Sequence, residues 1–249
     1  LGESQPDQGI VRFPTPLIRG TLIRREKRFF VFVRLDDGTE VVAHTNNTGT
    51  MLGCNTPGSP VWLSPADNPK RKLKWTYELV ETDGVLVGIN TQVPNRLAVE
   101  GIEDGTIVEL QGYERVRREV KYGENSRVDV LLERGESERC WVEVKNVTLV
   151  ENGVALFPDA VTERGRKHLR ELSAMVAAGD RAAMLFVVQR SDADSVAPAD
   201  LIDPKYGAAL REAAAAGVEI LAYRADVSPD EIVLRTSLPV HLSKQSSQK

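Results

Sequence analysis

Two segments place charge where a buried strand would carry apolar residues: Ser126-Arg-Val-Asp129-Val-Leu-Leu132 and Cys140-Trp-Val-Glu143-Val-Lys145. Side chains alternate faces along a strand. Val142 and Val144 therefore point one way and Glu143 and Lys145 the other, and Val128 and Val130 likewise oppose Asp129. The polar stretch Arg134 to Glu138, with Gly135 inside it, is expected to close the two strands into a hairpin. Any register that pairs Asp129 with Glu143 or Lys145 gathers two carboxylates and one amine on one face. Two convergent carboxylates offer hard oxygen ligands to a divalent metal. An adjacent ammonium can orient or activate an attacking water, or neutralise a phosphoryl oxygen. That is the chemistry of a metal-dependent nuclease. A plainer arrangement uses the same residues: Glu143 and Lys145 as a same-face pair on a solvated strand, with Asp129 as a cross-strand partner. The spacing alone does not decide between them.

Other polar residues fit the first arrangement. Glu100, on a short amphipathic helix expected over Asn95 to Glu103, is a candidate acid to complete a metal shell or a solvated helix position. Arg164, Lys167 and His168 fall in the N-terminal half of the helix expected over Thr162 to Ala178. There they are candidates for phosphate contacts aided by the helix dipole, or for a solvated face paired with Glu163 and Glu171. Glu119 and Lys121 repeat the Glu-x-Lys spacing one strand earlier, where an edge salt bridge is expected. His44 is assigned no chemistry.

The elements that must position these residues fall into two groups. Leu17 to Arg24, Phe29 to Leu35, Glu40 to His44, Pro60 to Leu63 and Leu73 to Val80 are expected strands, separated by the turn signals Asp36-Asp-Gly38, Asn46-Asn-Thr-Gly49 and Pro57-Gly58. About five short strands suggest a small barrel such as the OB-fold. Such barrels bind single strands with aromatics in a basic groove. Arg24, Arg25, Lys27 and Arg28 lie beside Phe29 and Phe30, and Lys70, Arg71, Lys72 and Lys74 beside Trp75 and Tyr77. Phe30 and Phe32 are expected in the barrel core. From about residue 84 the pattern becomes mixed. A strand is expected over Val85 to Asn90, then the helix carrying Glu100. Three strands follow, over Arg117 to Tyr122, Arg127 to Leu132 and Arg139 to Asn146. Thr162 is placed to cap the long helix, with Leu169, Leu172, Met175 and Val176 as its apolar stripe. An apolar central strand over Ala182 to Gln189, an Ala-rich helix over Lys205 to Ala216 and a last strand over Val218 to Arg224 complete the order α-β-β-β-α-β-α-β.

Composition sets the frame. The 249 residues suffice for one large or two modest domains. No apolar run approaches the ~20 residues a bilayer span requires, and no secretory leader pattern is seen. Cys54 and Cys140 are far apart, with no Cys/His metal spacing, so buried free thiols in a reducing cytoplasm are expected. The net charge of −4 hides a split: residues 1–80 carry 11 Lys+Arg against 8 Asp+Glu, and residues 81–249 carry 21 against 28. A basic module joined to an acidic one is what separate DNA-holding and metal-holding parts would give.

The mixed order is that of the PD-(D/E)xK nuclease superfamily. There the metal carboxylate sits on the second core strand and (D/E)-x-K on the third, matching Asp129 and Glu143-Val-Lys145; Val128 stands where that pattern has proline. Nearly the whole chain also resembles the sugar fermentation stimulation protein A (SfsA) family. The resemblance is carried by Phe13-Pro-Thr-Pro-Leu17, Asn46-Asn-Thr-Gly49 and Asp67-Asn-Pro-Lys-Arg-Lys72. It continues through Asn95-Arg-Leu97 with Glu100, Glu119-Val-Lys-Tyr-Gly123, Ser126-Arg-Val-Asp129, Val142-Glu-Val-Lys-Asn-Val-Thr-Leu149 and Phe157-Pro-Asp-Ala-Val-Thr-Glu-Arg-Gly165. The resemblance implies an α+β protein with an N-terminal OB-fold β-barrel and a nuclease-like α/β domain built on a mixed central sheet. The divisions expected are 10–82, 83–242 and a disordered tail over 243–249. It also implies DNA binding. The function expected is a cytoplasmic DNA-binding protein, monomer or homodimer, with a Mg²⁺- or Mn²⁺-dependent nuclease site. Asp129 and Glu143 would bind the ion, with Glu100, and Lys145 would act in catalysis. Arg24, Arg25, Lys70, Arg71, Lys72, Arg164, Lys167 and His168 would contact nucleic acid, single- or double-stranded. The competing expectation is a DNA-binding regulator on a nuclease-like fold that does not cleave.

Overall fold

The protein is described from a computed structural model that defines residues 9–66, 68, 70–122 and 126–244. A short strand, β1 (Ile10–Arg12), precedes five strands that close on themselves: β2 (Ile18–Glu26), β3 (Phe30–Leu35), β4 (Glu40–His44), β5 (Pro60–Pro65) and β6 (Trp75–Thr82). Antiparallel neighbours run β4-β3-β2-β5-β6, and a parallel pairing of Ala43 with Trp75 and His44 with Thr76 shuts the barrel. Alternation fills its interior with Val31, Val33, Ala43, Val61 and Leu63. Phe30 and Phe32 have the other parity and stand half-buried outside, contrary to expectation. The period of two admits one set only, and the compact valines take the barrel centre. Trp75 packs partly buried against that interior. Gly20 lets β2 and β3 approach closely. A Cβ there would lie 2.6 Å from Val33 Cγ1 and 2.7 Å from the Arg34 carbonyl oxygen, so no larger residue fits without displacing backbone.

Strand β7 (Val85–Gly88) returns antiparallel to β6 through Asp83-Gly84, both at positive φ (53° and 77°), as a two-residue hairpin turn requires. It joins the barrel sheet. The division expected at 82/83 therefore falls inside a hairpin. At the other end, β1, expected within the barrel segment, adds to the second sheet instead.

That second sheet has seven strands. After α1 (Val93–Glu103) come β8 (Arg115–Tyr122), β9 (Ser126–Arg134) and β10 (Glu138–Val147), then the short β11 (Leu149–Glu151) and β12 (Val154–Phe157). Next are α2 (Glu163–Ala177), β13 (Arg181–Val188), β14 (Ser195–Pro198), α3 (Pro204–Ala215), β15 (Glu219–Val227) and β16 (Glu231–Ser237). The sheet order is β1-β16-β15-β13-β10-β9-β8, with β10, β13 and β15 parallel and the remaining pairs antiparallel. Strands β11, β12 and β14 form a separate small sheet. Helix α1 covers one face, where Leu97, Ala98 and Ile102 meet Val130, Val142 and Leu185. Helices α2 and α3 cover the other, where Leu169, Leu172 and Leu210 meet Met184 and Phe186. The expected order is kept, and β16 extends it past the strand expected to be last. Ser243 and Lys244 belong to no regular element; residues 245–249 of the expected disordered tail lie outside the described residues.

The Oδ1 atom of Asp203 caps α3 by accepting from the Tyr206 N–H (3.0 Å), while its Oδ2 accepts from the Thr162 N–H (2.9 Å) and from Arg166 (2.9 Å). One carboxylate, 1% exposed, thus ties the cap of α3 to the start of α2. Asp203→Ala is expected to lower stability by about 3–5 kcal/mol, because it strands a half-buried guanidinium and two N–H groups. Urea unfolding followed by circular dichroism checks this. A loss under about 1 kcal/mol would put the pair in the class of surface ion pairs.

Candidate active site

Strands β9 and β10 pair in register from Arg134↔Glu138 to Val130↔Val142. The next opposed pair would be Asp129 and Glu143, but the ladder ends there. The side chain of Asp129 takes over from the backbone: its Oδ2 accepts from the Val144 N–H (2.8 Å) and its Oδ1 from Asn95 Nδ2 (2.9 Å) on α1. On the other side of β9, the β8 ladder skips the same level. Arg118 pairs with Val130 and Val120 with Val128, while Glu119, opposite Asp129, has φ 53°. Both strands turn over at this point. Val116, Val130 and Leu132 pack on the α1 side, whereas Val120 and Val128 pack on the α2 side. Val128 and Val130 were expected to share a face; the interruption at Asp129 separates them.

Glu143 faces α2 and is 2% exposed. Its Oε1 receives both Lys145 Nζ and His168 Nδ1, and Lys145 Nζ lies 3.3 Å from the same imidazole nitrogen. With its proton on Nδ1, His168 donates to Glu143, and its Nε2 accepts from Arg164 Nε (3.4 Å). The Oε2 of Glu143 is buried and has no partner among the described residues. The two carboxyls are electrostatically distinct. Burial, then the charge of Glu143, raises Asp129 from 3.8 to about 6, against the pull of Lys145 and the two hydrogen bonds. Burial alone would also raise Glu143, but the charges and hydrogen bonds of Lys145 and His168 overrule it and hold that carboxyl below its usual range.

Asp129, Glu143 and Lys145 line one cleft of about 400 Å³ between the sheet and the barrel loop that follows β4. That loop is built in. Arg25 donates to the carbonyls of Arg28, Asn47 and Gly49 at 2.7–3.1 Å. Asp159 Oδ2 accepts from the Met51 N–H (2.8 Å) and Thr50 Oγ1 (3.1 Å), and Asn46 accepts from the Thr91 N–H (3.0 Å) and donates to Asn90 (2.6 Å).

The other expected site residues scatter. Glu100 does not line the cleft. It lies five residues, about 140° of helix rotation, from Asn95, which holds the position facing Asp129. Among the described residues no three His, Cys, Asp or Glu side chains come together as a metal cluster. Arg164 lines both the central cleft and a neighbouring one, where it meets Lys167. His168 is 3% exposed and pairs with Glu143, and it lines the neighbouring cleft with Arg164 and Lys167. Arg25 holds the barrel loop, and Arg71 likewise donates to the Leu73 and Trp75 carbonyls (2.9 and 2.8 Å) and to Thr76 Oγ1 (3.0 Å). Lys70 and Lys72 are exposed. Arg24 pairs with Glu26 at 2.6 Å and lies 3.8 Å over the Phe32 ring. Sequence reasoning missed Asn95, Asp159 and the role of Asn46-Asn-Thr-Gly49. That stretch reads as a turn, and turn chemistry does not reveal which domain the turn will touch.

The two units also match family models: residues 23–89 the SfsA N-terminal OB domain, and residues 92–231 the sugar fermentation stimulation protein RE domain. The chain is 65% identical over 227 residues to a sugar fermentation stimulation protein homolog of Geobacter sulfurreducens, covering 91% of this chain and 97% of that one. A homolog from Maricaulis maris is 56% identical over 235 residues, covering 94% and 100%. Among solved structures, Pyrococcus furiosus SfsA in complex with Ca²⁺ superimposes with a TM-score of 0.85 at 29% identity, over 93% of this chain and 98% of that one. Among the described residues no helix is long and apolar enough to cross a membrane.

Proposed function

The chain belongs to the sugar fermentation stimulation protein family, and from that premise and the geometry of the cleft we propose that it is a DNA-binding protein with a divalent-metal-dependent phosphodiesterase site. The observation that carries the proposal is the buried Oε2 of Glu143, which has no partner among the described residues and belongs to a residue lining the cleft with Asp129. A buried anionic oxygen without a donor is costly, and a cation supplies what it lacks. The residues fit Mg²⁺ or Mn²⁺: two carboxylate donors, with water for the remaining positions, is how Mg²⁺ is usually held. The Ca²⁺ bound to the Pyrococcus relative agrees with an oxygen-ligand site. A divalent ion held there would polarise a phosphoryl oxygen and acidify a bound water.

The chain's own groups then have separate tasks. Asp129 and Glu143 hold the ion. Lys145, anchored by Glu143, keeps a proton donor available for the charge that builds on the phosphoryl oxygens. Arg164, steadied through His168, supplies a second cation at the rim. Glu100 is left outside this assignment. A non-cleaving DNA-binding regulator is the second reading, favoured by the absence, among the described residues, of a third His, Cys, Asp or Glu close enough to join Asp129 and Glu143 on one ion. Labelled single- and double-stranded DNA incubated with Mg²⁺, Mn²⁺ or chelator separates them. Cleavage that needs metal and falls at least about 100-fold in Lys145→Ala, the scale on which one charge-stabilising donor acts, supports the enzyme. Binding without metal-dependent cleavage supports the regulator.

A further inference from the structure

The cleft over Asp129 continues in both directions. Asn46 belongs both to it and to a second cleft between the barrel and α1, and Asp129 and Arg164 belong both to it and to a third along β8, β9 and α2. The three are adjacent through these shared walls, with the carboxylates in the central cleft. Exposed Arg96 lies on the barrel side, and Arg127, Arg164 and Lys167 lie on the α2 side.

The central cleft has a different chemistry. Besides the charged Asp129, Glu143, Lys145, Asp159 and Arg164, its polar walls carry neutral amides and hydroxyls, among them Asn46, Asn47, Thr48, Asn95, Asn146 and Thr148. Asn146 accepts from Gln189 at 2.8 Å, while its own Nδ2 is buried and donates to nothing among the described residues. Cations answer phosphates; amides and hydroxyls answer base edges and sugars. In a duplex the Watson–Crick edges are occupied and the bases are stacked away from the backbone that must approach Glu143. An unpaired nucleotide presents phosphate and base edge together. The barrel-side wall is also fixed. Gly49 lies so close to Asp159 that a Cβ on it would stand 2.9 Å from Oδ2, and Met51, Thr50 and Arg25 pin the rest of the loop. Widening the cleft to admit a second strand would break the Asp159 contacts to Thr50 and Met51.

We infer that the substrate is an unpaired nucleic-acid strand threaded from the barrel–α1 cleft past Asp129, Glu143 and Lys145 to the α2 cleft, with one base lodged against Thr48 and Asn146. This rests on the function proposed above and names its substrate class. Arg96, Arg127 and Lys167 would take flanking phosphates.

The test is fluorescence anisotropy with the full chain in Ca²⁺ buffer. The probes are a labelled homothymidine oligonucleotide, a blunt DNA duplex of the same length and the matching homouridine strand. The single strand should bind about tenfold or more tighter than the duplex, a difference of roughly 1.4 kcal/mol. Arg96→Ala and Arg127→Ala should each reduce the log–log salt slope by about 0.7. Thr48→Glu, at an exposed position outside the catalytic set, should weaken single-strand binding about tenfold by charge repulsion at short range and leave duplex binding unchanged. Equal or tighter binding of the homouridine strand supports the unpaired-strand inference and moves the function from DNA to RNA. Duplex binding as tight as single-strand binding, or a Thr48→Glu protein with unchanged single-strand affinity, overturns the inference and leaves DNA binding standing. Failure to bind any of the three overturns both.

Discussion

Asp129→Asn is expected to abolish metal binding and any cleavage, and at the same time to stabilise the metal-free protein at neutral pH. Both effects follow from one carboxyl, raised to about 6 chiefly by burial and by Glu143. An acid whose folded pKa exceeds its unfolded value binds more protons in the native state. Stability therefore falls as pH rises from 3.8 towards 6, and the deficit is complete above that window. Two units correspond to about 3 kcal/mol. Asparagine removes the deficit. It also replaces one acceptor by a donor, so either the Val144 N–H or Asn95 Nδ2 loses its partner, at about 1–3 kcal/mol. The net expectation is a gain of up to about 2 kcal/mol at pH 7. It should fade towards pH 4, where a protonated aspartate and an asparagine present the same donor–acceptor pattern. Metal affinity should drop at least about 100-fold, beyond the range second-shell changes usually reach. DNA should bind without metal as before or more tightly, since a carboxylate near a phosphate repels it and an amide does not. Were Asp129 merely a cross-strand partner for Lys145, the variant would lose stability and keep its metal. Calorimetric titration and urea unfolding of the same protein decide. Undiminished Mg²⁺ or Mn²⁺ binding would sink the ligand assignment.

The parts of this site legible in the sequence are those set by local rules. Glu143-Val-Lys145 on an apolar strand predicts a shared face, and that face is where α2 finds them. Thr162 was legible as a cap, and its Oγ1 accepts from the Gly165 N–H at 3.0 Å. The barrel strands were legible because turn residues punctuate them. What was not legible depends on interruption and on distance along the chain. Alternation places Asp129 on the face opposite Val128 and Val130, yet β8 and β9 both turn over at the level of Glu119 and Asp129. No periodicity signals a break in period. Arg25 and Arg71 read as surface cations, but Arg25 finds carbonyls of the loop after β4 and Arg71 those of its own segment. A guanidinium has five donors and satisfies them wherever carbonyls cluster. His168 was expected to face a phosphate. It lies one turn from Arg164 and one turn from Leu172, and the burial of Leu169 and Leu172 carries it inward. Asp159 closes the cleft from more than a hundred residues away, and only the folded chain brings it to Thr50.

Metal affinity is expected to fall about tenfold between pH 7 and pH 5 and about tenfold for each further unit, because the two ligands ionise far apart. Glu143, held below its usual range by Lys145 and His168, is a carboxylate from pH 5 upwards. Asp129 at about 6 is not, so a proton competes with the ion for the same oxygens. Affinity should therefore rise with pH through 6 and level off above 7, with about one proton released per ion bound at pH 5 and about half a proton at pH 6. Calorimetry at pH 5 in buffers of different ionisation enthalpy counts that proton. The partner variant tests the cause as well as the effect. Glu143→Gln removes the charge that helps to raise Asp129, so whatever ion binding survives should have its pH midpoint moved to lower pH. It also removes the counter-charge on Lys145, and that amine then acts against the incoming ion, so affinity should be weaker at every pH. Asp129→Asn should leave no step near pH 6 at all. An affinity that stays flat from pH 5 to pH 8 in the unmodified protein would mean that the ion does not displace a proton from Asp129. The raised carboxyl would then be a consequence of burial alone.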